Sequence, residues 1–246
     1  MLGEYYRKRA AEYDAFYADP QRQNDLATLR AWLVSLARGR HILEVAAGTG
    51  YWTAVAAPVA ASITATDVNA ETLAIAAGKH LGAHVTLLQA DAWDLSHVPQ
   101  AHAADLPRGD AADPPHMPQA STADLPHLPR AFDLGMAHLW WSHLRRQDRR
   151  RFLTSFAASL QPAATLLMID ETLVPQVGAP IARRDADGNT WQRRWLDNGE
   201  RFEIVKNYPD AEELQHDVAA TCDDIRILQL KYFWALSSTV RDVGGV

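Results

Sequence analysis

The sequence predicts an α/β fold in which a mixed sheet of seven strands carries helices on both faces. Five short apolar runs are mostly interleaved with helical stretches, a pattern typical of parallel strands covered by helices. Two further strand-like runs are separated only by Lys231, which indicates an antiparallel pair that closes the sheet. The first five strands are expected at 41–46, 62–67, 85–91, 132–138 and 164–171, and the last two at 223–230 and 232–240.

Composition and charge limit the class of protein. The chain has 246 residues, of which 48% are hydrophobic and 22% charged, so one globular domain over residues 1–246 is expected. The net charge of −6 does not favour a nucleic-acid partner. Cys222 is the single cysteine, and we recognise neither a signal-peptide pattern nor an apolar stretch long enough to cross a membrane. We therefore expect a cytoplasmic monomer that binds neither nucleic acid nor membranes.

Two segments outside the alternating pattern are expected to have structure of their own. Residues 1–38 predict a helical cap of two helices separated by Asp19-Pro20. Residues 176–207 follow the fifth strand and contain the turn signals Asp187-Gly188 and Asn198-Gly199, so they predict a small antiparallel flap.

A third segment, residues 94–131, is rich in Pro, His, Asp and Ala. The phrase Asp-x-x-His-x-Pro occurs in it three times, starting at Asp94, Asp113 and Asp124, which indicates local expansion of a linker. Its histidines are not expected to hold a metal, because zinc ligands usually come from a more tightly supported frame than a proline-rich loop.

Acidic and glycine residues gather where the first three strands end. Gly48 and Gly50 follow the first strand, allow a ligand to approach the backbone, and precede a helix whose first N–H groups are free. Asp67 ends the second strand, where a carboxylate can accept both hydroxyls of a ribose. Asp91 ends the third strand, where it and the N–H of Ala92 can contact the edge of an adenine. This pattern predicts a nucleoside-containing ligand.

These strand ends resemble those of class I S-adenosylmethionine-dependent methyltransferases. The resemblance implies a Rossmann-like sheet and S-adenosylmethionine as cofactor, with Glu44 organising the glycine loop and the methionine amino group. The sequence departs from the family at Ala46, which stands where the family has a glycine. The cofactor site that the resemblance implies consists of Tyr13, Glu44, Ala46, Gly48, Gly50, Asp67, Val68, Asp91 and Ala92.

Two other interpretations remain open. A nicotinamide-dependent oxidoreductase is disfavoured, because its fingerprint needs a third Gly or Ala where this chain has Thr53, and because a long helical segment precedes the first strand. A module that binds the cofactor without performing chemistry is not excluded by the sequence.

Aromatic residues near the expected site predict that the molecule receiving the methyl group, the acceptor, is small and flat. The residues expected to bind it are Tyr6, Trp140, Trp141, Trp191 and Trp195, although about half of the aromatic residues in these regions are expected to serve packing instead. The motif Asp113-Pro114-Pro115-His116 is similar to one of amino-group DNA methyltransferases, but it precedes the fourth strand rather than following it. A small molecule is therefore favoured over a nucleic acid.

Histidines and acids near the ends of strands four and five are the candidate bases. His138 and His143 are the expected catalytic residues, with Asp170 and Glu171 as further candidates that instead hold a flap backbone amide if their role is structural.

The N-terminal tyrosines together with Trp140-Trp141-Ser142-His143 resemble small bacterial methyltransferases of specialised metabolism. That resemblance implies N-methylation of a heteroaromatic ring, a pyrimidotriazine of the toxoflavin type, with O-methylation of a phenol or carboxylate as the alternative. The sequence leaves open whether the arginines of the flap, Arg183, Arg184, Arg193 and Arg194, touch the acceptor, pair with acids or are solvated.

Overall fold

The computed structural model describes residues 2–99 and 132–242. Its strands are β1 His41–Val45, β2 Ser62–Asp67, β3 Val85–Gln89, β4 Leu134–His138, β5 Thr165–Glu171, β6 Ile181–Arg184, β7 Thr190–Trp195, β8 Arg201–Val205, β9 Cys222–Gln229 and β10 Phe233–Val240. Its helices are α1 Leu2–Arg9, α2 Ala15–Ala18, α3 Gln23–Ala37, α4 Tyr51–Ala56, α5 Ala70–Ala77, α6 Arg149–Ala158 and α7 Ala211–Val218, with short 3₁₀ turns between several of them.

The main sheet confirms the predicted seven-stranded mixed architecture. Its order is β3-β2-β1-β4-β5-β10-β9, with β1 to β5 parallel and β10 antiparallel to both β5 and β9. The chain runs outward in opposite directions from β1 and β4, so a crevice is expected beyond their carboxyl ends. The predicted flap is a separate three-stranded antiparallel sheet of order β6-β7-β8.

The central strands are apolar because helices cover both faces of the sheet. On one face, Leu26, Leu29 and Leu33 of α3 are fully buried, as their helical spacing predicts. On the other face, α6 and the turn after it approach so closely that a Cβ on Gly135 of β4 would lie 3.0 Å from Phe156 Cζ and 2.6 Å from Leu160 Cδ1. No helix within the described ranges is long and apolar enough to cross a membrane.

The N-terminal segment is helical but more broken than predicted. The break at Asp19-Pro20 is confirmed, since the Asp19 carboxylate caps the next turn by accepting a hydrogen bond from Gln21 N at 2.9 Å. The stretch before it is divided into α1, a 3₁₀ turn and α2. Near that division the Asp14 carboxylate accepts hydrogen bonds from Thr49 Oγ1 at 2.5 Å and Lys79 Nζ at 2.6 Å. The segment is thereby tied to the loop after β1 and to the end of α5.

The predicted insertion at 94–131 lies mostly outside the described residues. This applies to the second and third copies of its repeated phrase, with His116 and His127, and to the motif Asp113-Pro114-Pro115-His116.

The chain turns sharply where β1 ends. Ala46 has φ 53°, a left-handed conformation that costs an L-residue with a Cβ about 1–2 kcal/mol. This is the position where the sequence has alanine and the methyltransferases that it resembles have glycine. The glycine would therefore be the less strained residue here.

We predict that Ala46→Gly raises the free energy of unfolding by about 0.5–1 kcal/mol, because release of the left-handed strain exceeds the entropy that glycine adds to the unfolded chain. The matched control is Ala47→Gly, at a neighbouring residue outside the positive-φ positions of the described chain, which should lower stability by a similar amount. Urea unfolding of both variants checks this. Equal effects of the two substitutions would contradict it.

Candidate active site

A cavity of about 300 Å³ lies at the carboxyl ends of β1 to β4, beneath the N-terminal segment; we call it the cofactor cavity. Eight of the nine predicted cofactor residues line it: Tyr13, Glu44, Ala46, Gly48, Asp67, Val68, Asp91 and Ala92. All of them except Tyr13, which comes from the N-terminal segment, meet there because parallel strands have their carboxyl ends at one edge of the sheet. Gly50 lies behind the loop, where a Cβ would come within 2.8 Å of Ala76 Cβ, so it serves the packing of α4 on α5.

Asp67 shapes the wall of the cofactor cavity. Its two carboxylate oxygens accept hydrogen bonds from Gly48 N and Asn69 N, both at 2.9 Å. The side chain therefore orders the glycine loop and the turn after β2 at once, and it retains lone pairs for a ligand hydroxyl.

Glu44 is buried at the floor of the cofactor cavity. Its Oε2 accepts a hydrogen bond from Thr53 Oγ1 at 2.6 Å, and burial raises the pKa of its carboxyl to about 8, against the opposing effect of that hydrogen bond. At neutral pH a carboxyl with this pKa is mostly protonated. A cationic amino group placed beside it would favour the ionised form.

His138, at the end of β4, also lines the cofactor cavity. It is 5% exposed, and neither ring nitrogen has a hydrogen-bond partner in the described part of the chain. Buried polar groups are usually satisfied, so these nitrogens are available to a ligand. Burial lowers the pKa of the ring to about 3, and a neutral ring with so low a pKa does not suit the predicted role of general base.

A second cavity of about 220 Å³, which we call the acceptor cavity, adjoins the first. The two share Tyr6, Tyr13, Leu139 and His143 as walls. The acceptor cavity extends from this boundary over the end of β5 toward the flap. It adds the rings of Phe16, Tyr208 and Tyr232 and the charged side chains of Arg9, Arg22, Glu171, Arg194 and Lys206.

His143 stands at the boundary in a fixed protonation state. Its Nδ1 lies 2.7 Å from Val205 O, and because a carbonyl oxygen only accepts, Nδ1 carries the proton. Nε2 then accepts from the Tyr6 hydroxyl, also at 2.7 Å. Burial and the charges of Lys206 and Arg194 lower the pKa of the ring to about 3. The predicted base is thus a neutral residue whose lone pair is already occupied.

Asp170 and Glu171 join the roof of the site to the sheet. Glu171 accepts from Arg22 of the N-terminal segment at 2.8 Å and lies 2.9 Å from Lys206 Nζ, which follows the flap. Asp170 accepts from Ser142 N at 2.8 Å and lies 3.3 Å from Lys206 Nζ. The sequence offered a structural role for these acids, in which they bind a backbone amide of the flap. In the structure they bind the side chain of Lys206, just after the flap, instead.

The pKa values of Glu171 and Lys206 in this ion cluster are strongly shifted. Burial alone would raise the pKa of Glu171, but Lys206 and Arg22 lower it to about 2. Burial alone would lower the pKa of Lys206, but Asp170 and Glu171 raise it well above its ordinary value. Glu171 is therefore a paired carboxylate with little capacity to take a proton.

The structure corrects the predicted aromatic clamp. Tyr6 and Trp140 line the cofactor cavity, but Trp141 is fully buried in the hydrophobic core. Trp195 is 56% exposed, and Trp191 lines a different cavity with its Nε1 bonded to Asp185 at 2.9 Å.

Both flap tryptophans lie on the face of β7 opposite the acceptor cavity, since Arg194 is the β7 residue that lines that cavity. Among the other flap arginines, Arg183 pairs with Glu203 at 2.7 Å and Arg193 approaches the same acid at 4.0 Å. The alternation of residues along β7 does not show which face of the strand turns toward the acceptor cavity.

Three cations of the acceptor cavity, Arg9, Arg22 and Lys206, were not anticipated as site residues. Lys206 stands next to a buried flap strand, and a charged residue at such a position is the signal that could have identified it.

Comparison with known proteins agrees with this geometry. Residues 42–107 match the family described as "Methyltransferase domain". No curated protein sequence matches the chain. A structure described as the DhpI-SAH complex shares 24% identity at a TM-score of 0.69, covering 98% of this chain and 95% of the other.

Two further structures share the fold. One described as the DhpI-SAM-HEP complex has 24% identity and a TM-score of 0.67, over 96% of this chain and 94% of the other. An S-adenosylmethionine-dependent methyltransferase from Aquifex aeolicus has 15% identity and a TM-score of 0.57, over 95% and 98%. At these identities the structural likeness concerns the fold. Together with the domain match it supports an S-adenosylmethionine-dependent methyltransferase.

The residues of the cofactor cavity fit this cofactor. The unpartnered His138 nitrogens, the Asp67 carboxylate and the Glu44 carboxyl present polar groups toward a space otherwise walled by aromatic and small residues. Aromatic walls also suit a sulfonium cation.

We predict that binding of S-adenosylhomocysteine at pH 7 releases a proton from Glu44, because the ligand's cationic amino group stabilises the carboxylate and lowers a pKa that starts near 8. Affinity should rise as pH increases from 6 and level off above 8. Calorimetry in buffers of different ionisation enthalpy measures the release. Glu44→Gln should abolish it, whereas the exposed Glu71→Gln should leave it unchanged.

Proposed function

We propose that this S-adenosylmethionine-dependent methyltransferase N-methylates a small, flat heteroaromatic molecule, with a pyrimidotriazine of the toxoflavin type as the specific candidate. The observation that carries the proposal is the acceptor cavity, which adjoins the cofactor cavity at Tyr6, Tyr13, Leu139 and His143. Its volume of about 220 Å³ suits a small molecule, and its tyrosine and phenylalanine rings offer flat apolar surfaces.

The residues that line the two cavities promote the reaction by positioning the cofactor and the acceptor. S-Adenosylmethionine supplies an electrophilic methyl group on its sulfonium when bound. The chain must hold the nucleophilic atom in line with that group and keep water away. Tyr6 and Tyr13 cover the boundary of the two cavities, and the contacts of Asp14 with Thr49 and Lys79 hold this segment in place.

O-Methylation is the second candidate, and the cations of the acceptor cavity favour a carboxylate as its acceptor. A phenol would need a base to remove its proton, and the neutral His143 with its occupied Nε2 does not provide one. A carboxylate needs none.

We predict that the purified protein binds S-adenosylhomocysteine saturably and does not bind NADH. Asp67→Asn should weaken S-adenosylhomocysteine binding by roughly tenfold or more, because an amide can accept from only one of the two backbone N–H groups of Gly48 and Asn69. Glu71→Gln, on the exposed surface of α5, is the matched control. Isothermal titration calorimetry measures binding of both ligands to the unaltered protein and of S-adenosylhomocysteine to each variant.

The acceptor is then sought by incubating the protein with S-adenosylmethionine and a panel of nitrogen heterocycles, aromatic carboxylates and phenols, and by detecting added methyl groups by mass. Methylated heterocycles would support the first candidate, and methyl esters the second. A folded protein that binds NADH but not S-adenosylhomocysteine would overturn both.

A further inference from the structure

We propose that the acceptor enters its cavity as an anion and that Arg194 and Arg9 hold its negative charge. The inference rests on the proposed function and names the chemical class of the acceptor. It follows from the charge balance of the acceptor cavity, from the way Arg194 is oriented, and from the lack of an available base among the described residues that line it.

Positive charge exceeds negative charge in the acceptor cavity. Arg9, Arg22, Arg194 and Lys206 line it, while Glu171 is its one acidic wall within the described chain. Arg22 and Lys206 both form salt bridges with Glu171, from Arg22 Nη1 to Oε1 at 2.8 Å and from Lys206 Nζ to Oε2 at 2.9 Å. In the described ranges, Arg9 and Arg194 have no acidic partner within salt-bridge distance. Two guanidinium groups therefore face the cavity uncompensated.

Arg194 is oriented by a buried amide. Its Nη2 donates to Gln192 Oε1 at 2.6 Å, and Gln192, only 1% exposed, is itself fixed by donating to Tyr208 Oη at 2.9 Å. The Nε of Arg194 is buried and has no hydrogen-bond partner in the described part of the chain. A guanidinium held on one side with donors left over is prepared for a planar anion.

Arg9 meets the same cavity from α1. Its Nη1 donates to Tyr5 Oη at 2.9 Å, which fixes one side of the guanidinium. Arg9 and Arg194 come from the N-terminal segment and the flap, so an anion between them would be bound from two separate elements. Both line the acceptor cavity, whose walls Tyr6 and His143 are shared with the cofactor cavity.

The protonation states of the described site residues also favour an anionic acceptor over one that must first lose a proton. His138 and His143 are neutral, each with a pKa lowered to about 3 by burial, and Glu171 is a paired carboxylate. An acceptor already ionised gives its electron pair to the methyl carbon while the bond from that carbon to sulfur breaks. S-Adenosylhomocysteine leaves as a neutral thioether, and no proton has to be removed. The anion of an acidic ring N–H, ionised before it binds, and a carboxylate both meet this requirement.

The test uses matched acid and amide pairs, nicotinate with nicotinamide and benzoate with benzamide, titrated into the protein saturated with S-adenosylhomocysteine. At least one acid should bind roughly tenfold or more tightly than its amide. Arg194→Gln should reduce this preference to below about threefold. Arg193→Gln should retain it, because its side chain is 65% exposed on the opposite face of the same strand.

Arg9→Gln, with the exposed Arg7→Gln as its control, repeats the test at the second guanidinium, so the result does not depend on one variant folding. If no acid binds more tightly than its amide, absence of binding included, or if Arg194→Gln and Arg9→Gln both keep the preference, the inference is overturned. Normal S-adenosylhomocysteine binding in that case leaves the proposed function standing. If the unaltered protein does not bind S-adenosylhomocysteine, the proposed function itself is overturned.

Discussion

The two acids at the end of β5 hold the N-terminal segment and the flap over the site. Asp170 and Glu171 bring together Arg22 of the N-terminal segment, Ser142 after β4 and Lys206 after the flap, three parts of the chain that are far apart in sequence. Burying such charges costs several kcal/mol per ion unless they are paired, and removal of one partner leaves an uncompensated charge. The cluster therefore couples the N-terminal segment and the flap to the sheet, and through them it sets the walls of both cavities.

This structural use of the acids determines what chemistry remains. Carboxylates that hold Lys206 and Arg22 cannot also remove a proton from an acceptor, and the positive charge of Lys206 helps to keep His143 neutral. The acceptor cavity can orient its ligand, stack aromatic rings against it and contact it through unpaired guanidinium groups. Methyl transfer tolerates this division of roles, because its barrier falls mainly through alignment and exclusion of water when the nucleophile needs no deprotonation.

The sequence predicted the sheet and the cofactor wall for one physical reason. Buried parallel strands are apolar and end at a common edge, so the polar residues Glu44, Asp67 and Asp91 at those ends had to lie near one another. The acceptor side was less predictable. Alternation along β7 separates Trp191 and Trp195 from Gln192 and Arg194, but it does not say which face turns inward, and the structure selects the arginine face. Lys206 acquires its role only from tertiary contacts with the end of β5.

Two strained residues mark the crevice from which the site is built. Ala46 and Leu139 follow β1 and β4, the parallel neighbouring strands from which the sheet is extended in opposite directions, and both have φ 53°. Each such conformation costs a residue with a Cβ about 1–2 kcal/mol, so the surrounding structure must enforce it. Leu139 N is held by Ile169 O at 2.7 Å, and Ala47 N, just after the first turn, by Thr66 O at 2.9 Å. The sheet thus anchors two sharp turns that open the crevice. Ala46 and Leu139 both line the cofactor cavity, and Leu139 also reaches the acceptor cavity, so the strain lies where the two ligands are expected to meet.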